Sequence, residues 1–136
     1  MSYEIKYEIP SVKDYIEIRL KAGLSRKSEE AAIIGLKNSI LGVVVYFNGL
    51  PIGIGRIIGD GGCFFEITDM AVLPEHQNKG VGSMIIYSLV LWLKENASVT
   101  AYVSLIADHG TPEFYEKFGF IKAELPKSAG MYMRIL

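Results

Sequence analysis

The amino-acid sequence predicts an α/β fold, an α+β arrangement in which helices cover the faces of one mixed sheet. Three observations carry that expectation. Two apolar, β-branched runs flank Asn48-Gly49, the dipeptide best suited to a type I′ hairpin turn. An apolar stripe at helical spacing passes through Val81, Ile85, Leu89 and Trp92, with strand-like runs before and after it. Serines at positions 11 and 28 open two further helices near the N-terminus.

Taken in order, residues 3–9 alternate in character and meet Pro10, whose missing N–H ends a strand. Ser11 then caps a helix with Tyr15, Ile16, Ile18 and Leu20 on its apolar side, and Gly23 supplies the left-handed position that stops it. After the polar link Leu24-Ser25-Arg26-Lys27, Ser28-Glu29-Glu30 starts a second helix, reaching about residue 38, with its acids at the positive end of the dipole. Residues 40–47 form a strand, 51–58 its hairpin return, and Asp60-Gly61-Gly62 a tight turn into a third strand at 63–73, ended by Pro74. Residues 80–95 form the long helix and 99–107 a buried strand. Thr111-Pro112-Glu113 has the hydroxyl, proline and acid of a helix start, with Gly119 as the stop. Residues 120–125 and 131–136 close the sheet around Pro126 and Gly130. The order is β-α-α-β-β-β-α-β-α-β-β in a single domain, 1–136.

Composition narrows the function. In 136 residues, 14 Lys+Arg stand against 15 Asp+Glu, a net charge of −1, and half the residues are apolar. That balance supports one hydrophobic core and gives no surplus of cations for general nucleic-acid or anionic-membrane binding. Cys63 is the only cysteine, which excludes an intrachain disulfide or thiolate metal cluster and suits a reducing cytoplasm. The polar start Met-Ser-Tyr-Glu-Ile-Lys is unlike a signal peptide. The most apolar run, 84–93, is about half of the ~18 to 20 residues that span a bilayer, so no membrane segment is expected.

The chemistry concentrates in Asp69 to Ser83, where a buried strand passes through a polar turn into the long helix. A helix start leaves backbone N–H groups unpaired at the positive end of the dipole, where a phosphate collects charge-assisted bonds. Gly80 and Gly82 allow close approach and Lys79 adds a positive charge. A lone Gly-x-Gly more often just eases a turn. Other phosphate loops fit poorly: Gly-x-x-x-x-Gly-Lys-Ser/Thr is absent, Ile85 stands where a dinucleotide site needs a third glycine, and Gly53-Ile54-Gly55 opens no helix.

The run Gln77-Asn78-Lys79-Gly80-Val81-Gly82 closely resembles the Gln/Arg-x-x-Gly-x-Gly/Ala pyrophosphate signature of the GNAT superfamily of coenzyme-A-dependent N-acetyltransferases. Some thirty residues on, Phe114-Tyr115-Glu116-Lys117-Phe118-Gly119-Phe120 looks like that family's Leu-Tyr-Glu-Lys-x-Gly-Phe, and the element order matches its fold over the chain. The resemblance implies acetyl-CoA as cosubstrate, a primary amine of a small molecule or peptide as acceptor, and direct transfer in a ternary complex without a metal. It also implies a splayed central parallel strand pair, the strand carrying Met70, Ala71 and Val72 parting from 99–107 to admit the pantetheine arm. The N–H groups from Asn78 through Lys79, Gly80, Val81 and Gly82 to Ser83 would then hold the pyrophosphate, and one near Met70 to Val72 the oxyanion.

Tyr115 fills the position of the family's general acid, and a phenol protonated at neutral pH can donate to the departing thiolate. Two carboxylates are candidates for the base. Glu66 matches the base of the histone-acetyltransferase branch, whereas Asp69 lies closer to the acetyl position; either could instead be an acid paired with Arg56 or Lys79. Alternation places the two on opposite faces of the strand unless a bulge intervenes. Asp108 and Thr111 stand where many members have asparagine and alanine; Asp108 can accept a pantetheine N–H but cannot donate as asparagine does. His76 and His109 have no partner at ligand spacing and read as exposed loop residues. The competing function is a coenzyme-A-binding regulatory module without turnover. Apolar edge strands near the C-terminus would suit a homodimer.

Overall fold

The structure, a computed structural model, describes residues 2–108 and 111–136, so His109 lies outside the described residues. These form two compact units, one running to Leu105 and the other covering Ile106–Leu136. In the first, β1 (Tyr3–Lys6), α1 (Val12–Lys21), α2 (Glu29–Lys37), β2 (Leu41–Phe47), β3 (Leu50–Gly59), β4 (Phe64–Val72), α3 (Val81–Asn96) and β5 (Tyr102–Ser104) follow one another, with a 3-10 turn at Pro74–His76. The sheet order is β1-β2-β3-β4-β5, antiparallel except for the parallel pair β4 and β5.

Local chemistry accounts for most boundaries. The hydroxyls of Ser11 and Ser28 accept the N–H groups of Asp14 and Ala31, each at 3.1 Å, which relieves unpaired donors in the first turns of α1 and α2. Asn48 and Gly49 both take positive φ, 53° and 78°, as a type I′ turn requires, and join β2 to β3. On one sheet face α3 buries Val81, Ile85, Ile86 and Leu89. Gly53 and Gly55, set aside above as a phosphate loop, let that helix close on β3: a Cβ at Gly55 would lie 2.5 Å from Ile85 Cγ2 and 3.2 Å from Leu89 Cδ1. On the other face α1 and α2 pack Tyr15, Ile18, Ala32 and Leu36 over Val44, Ile54 and Ala71.

Three expectations change. The first strand stops at Lys6 rather than residue 9, because the chain then passes over β2, the Glu8 carbonyl lying where a Cβ on Gly42 would meet it at 2.7 Å. The strand expected at 99–107 shortens to Tyr102–Ser104, since Thr100 adopts a φ of 80° in a turn closed by Ala101 N–H donating to Ser98 C=O. In the second unit, α4 (Pro112–Glu116) forms at the expected place, and Phe114, Tyr115, Phe118 and Phe120 cluster around it. No strand forms among the described residues at 120–125 or 131–136. Apolar alternation makes a strand only where a ladder partner satisfies the backbone, and Ile121, Met131 and Ile135 stand exposed.

Candidate functional site

The site begins where β4 and β5 part. Their parallel pairing covers Phe64–Tyr102, Phe65–Val103 and Glu66–Ser104 and then ceases, so β4 from Ile67 onward has no ladder partner on that edge among the described residues. Glu66 is the last paired residue, at the mouth of the fork. Its side chain is half-buried, and among the described residues neither an ion pair nor a hydrogen bond engages its carboxylate.

A β-bulge follows immediately. Arg56 pairs with Thr68 and Ile54 with Ala71, which leaves Gly55 alone opposite both Asp69 and Met70. Asp69 takes a φ of 58°, a left-handed conformation that an L residue in a strand adopts only under constraint. The bulge changes which backbone groups face the open edge. Before it, Tyr102 N–H donates to Cys63 C=O at 2.8 Å, so the odd-numbered groups 63, 65 and 67 point toward β5. After it, Leu73 N–H donates to Ile52 C=O at 2.9 Å on the β3 side, which turns the N–H groups of Met70 and Val72 to the open edge.

The same slip changes the faces. Cross-strand partners share a face, and Ile54 and Arg56 both look toward α1 and α2, so Thr68 and Ala71 do as well. Glu66, two residues before Thr68, joins that face, and Asp69 turns onto it through the bulge. The opposite-face arrangement that alternation predicts for these two acids is thus replaced by a shared one. They differ in surroundings. Asp69 is buried; its Oδ1 accepts from Tyr15 Oη at 3.0 Å and from Arg19 Nη1, and its Oδ2 accepts from Arg56 Nε at 2.7 Å. The pairing of Asp69 with Arg56 was the structural alternative; Lys79 has no part in it. Tyr15 and Arg19 were not singled out in the sequence, although Tyr15, Ile18 and Arg19 at i, i+3 and i+4 place a cation on an otherwise apolar helix face. Burial first, and then the Asp69 charge, push the Tyr15 phenol above its ordinary range.

Past β4 the chain turns into α3. Gln77 Nε2 donates to Val72 C=O at 2.9 Å and braces the strand end. Asn78 and Gly80 take φ of 60° and 83°, and Gly80, the N-cap, provides no side-chain acceptor. Met84 N–H is the first to bond back, to Gly80 C=O at 3.1 Å, so the helix start leaves the N–H groups of Val81, Gly82 and Ser83 without intrahelical partners, beside exposed Lys79. His76 is not the exposed loop residue expected: it is half-buried, its Nδ1 2.8 Å from Tyr3 Oη and its ring against Tyr3 and Phe47, which ties the turn to β1 and β2.

In the second unit Tyr115 is half-buried on α4, edge-on to Phe114 at 5.0 Å. Burial foremost, and the charge of exposed Asp108 second, raise its phenol above the usual value. Asp108 C=O accepts the Thr111 hydroxyl at 2.7 Å and fixes the entry to the helix.

The family described as Acetyltransferase (GNAT) domain matches residues 38–122, well over half of the chain and all of the elements just described from β2 to α4. The uncharacterized N-acetyltransferase ycf52 of Pyropia yezoensis is 31% identical over 93 residues, 65% of this chain and 52% of its own length; that of Porphyra purpurea is 31% identical over 71 residues, 52% and 40% respectively. The chain thus spans about half the length of the curated relatives it matches. Among solved structures, a probable acetyltransferase from meticillin-resistant Staphylococcus aureus is 42% identical with a TM-score of 0.91, covering 98% of this chain and 100% of that one. A GNAT family acetyltransferase from Streptococcus pneumoniae, 23% identical with a TM-score of 0.79 and 98% of both chains covered, shares the fold.

Proposed function

The chain belongs to the GNAT acetyltransferase family, and from that premise we propose that it moves an acetyl group from acetyl-CoA to a primary amine of a small molecule or peptide, by direct attack in a ternary complex. The observation that carries this reading is the fork: an unpaired edge of β4, with the Met70 and Val72 N–H groups turned toward it, runs directly into the uncapped start of α3. The family match spans the boundary between the two compact units, which supports reading 1–136 as one acetyltransferase domain.

The residues present fit a coenzyme A pyrophosphate. Left-handed Asn78 and Gly80 and the free N–H groups of Val81, Gly82 and Ser83 form a concave set of donors at the positive end of α3, with Lys79 beside them. The open edge from Met70 through Ala71 to Val72 would pair with the pantetheine arm. Bound acetyl-CoA would supply an acyl group activated as a thioester. The Met70 or Val72 N–H stabilises the oxyanion as it develops, being held in place beforehand by the ladder on the other side of β4.

Glu66 is the better base of the two acids. Its carboxylate is unengaged at the mouth of the fork, whereas both oxygens of Asp69 already accept from three donors. Tyr115, like any phenol, is protonated at neutral pH, and it can deliver that proton to the leaving thiolate. Asp108 is left as an acceptor for a pantetheine amide N–H.

The test is acetyl-CoA-dependent thiol release over a panel of amino acids, amino sugars, polyamines and lysine peptides, with calorimetric binding of acetyl-CoA alongside. Turnover is expected, and Tyr115→Phe and Glu66→Gln should each lower kcat by about 100-fold or more with acetyl-CoA affinity kept. Binding without turnover over the panel would favour the regulatory module, and absence of binding would overturn the coenzyme A site itself.

A further inference from the structure

We propose that Arg19 is a positioning residue: through Asp69 it holds the bulge that turns the Met70 and Val72 N–H groups to the open edge of β4, a role that rests on reading this edge as the acetyl-group site. Asp69 is the residue at which the strand changes step. Uninterrupted alternation from Ile67 would point its side chain toward α3, and only a left-handed φ brings it round to the opposite face. Of its three partners, Arg56 lies on β3 opposite Thr68, is held by Gly35 C=O and Ser39 Oγ, and favours the same face of the strand. Tyr15 and Arg19 come from α1, an independent frame, and can hold Asp69 out of step. Arg19 provides the charged contact. Its other terminal nitrogen donates to Ser25 C=O at 2.7 Å and to Ser25 Oγ at 3.1 Å, so the guanidinium plane is set by the segment after α1 before it meets Asp69.

This arrangement is a poor one for stability alone. Arg19 Nε is buried with no partner among the described residues, and well-packed apolar side chains commonly match or exceed a buried ion pair. What the cluster's directional bonds do set is geometry, here the register of β4 on the far side of Asp69.

The experiment compares wild type with Arg19→Met and Arg19→Lys by NMR and steady-state kinetics. In the wild type, cross-strand contacts should place Ala71 opposite Ile54; in Arg19→Met, Met70 should take that place or the two should exchange. The kcat per folded molecule should fall by about 10- to 100-fold while affinity for ADP, a pyrophosphate probe without the pantetheine arm, stays within about twofold, because the N–H groups at the start of α3 do not depend on the bulge. Arg19→Lys, a point donor that cannot hold Asp69 and Ser25 in one plane, should be intermediate, and it carries the test should Arg19→Met fail to fold. An unchanged register with kcat within twofold in the folded variants would overturn the proposal. If the wild type acetylates no amine, the reading of the edge fails, and the NMR contacts still decide whether Arg19 sets the register.

Discussion

The two faces of the sheet are both covered by helices and are built on opposite principles. Against α3 the contact is dominated by apolar side chains, Ser88 being the one buried polar residue of that helix, with Gly53 and Gly55 allowing Val81, Ile85 and Leu89 to settle onto β3. Against α1 and α2 an apolar cluster of similar depth surrounds Asp69, Arg19, Arg56 and the Tyr15 hydroxyl. Apolar contact is non-directional and rewards area, so the α3 face fixes how closely the layers pack and excludes a charged side chain, but it holds no strand group in a set direction. Charge-assisted hydrogen bonds are directional, and those on the α1 and α2 face reach the strand at the residue where its register changes. The α3 face thus supplies close packing, and the opposite face sets which backbone groups meet the open edge of β4.

The sharpest way to break this contrast is Asp69→Ala, which strands two buried guanidiniums and should cost about 3–5 kcal/mol in urea unfolding. Its survivors should also lose kcat per folded molecule. Leu89→Ala opens a cavity under α3 and should cost about 2–5 kcal/mol, yet leave the kcat of folded protein unchanged, since nothing directional is lost. Equal kcat losses from both would erase the distinction between the faces. Gly55→Val forces Ile85 and Leu89 away from β3 and should cost about 1–3 kcal/mol by thermal melting.

The smallest effect is a pH dependence. The Tyr15 phenol is raised by burial first and by Asp69 second, so the folded chain holds that proton more tightly than the unfolded one. Its contribution is fully present below the unfolded value near ~10 and is lost as pH rises through the folded value. Tyr15→Phe should therefore flatten the alkaline decline in Tm. Tyr46, pushed up to about 12 chiefly by its hydrogen bond to Glu8, acts in the same sense, so Tyr46→Phe serves as the comparison. A decline unchanged by Tyr15→Phe would show that the phenol is not titrating against its buried partners.

Sequence reasoning went furthest where a signal is local. Asn48-Gly49, the serine caps and the α3 stripe depend on neighbours within a few residues, and each lies where expected. The start of α3 was legible for the same reason, since an uncapped glycine leaves N–H groups unpaired wherever the helix sits. Local signals were less reliable about extent. Residues 99–107 look like a strand throughout, but a left-handed turn at Thr100 takes the first part and the fork ends the pairing after Ser104. At Glu66 and Asp69 the period-2 rule gave opposite faces because nothing near Asp69 announces a bulge.

Turns, caps and apolar pattern thus determined the order of elements from β1 to α4 and the stretch from Asp69 to Ser83 as the place for chemistry, while the family came from the resemblance of two motif blocks. They could do so because turns, caps and apolar periodicity are properties of short segments. The tertiary structure decided how far β4 and β5 stay paired, that Glu66 and Asp69 share a face, and that Asp69 is already occupied. Each of these depends on partners distant in sequence, Tyr15 and Arg19 lying 54 and 50 positions from Asp69, and a hydrogen bond that spans such a distance leaves no periodic trace in the chain.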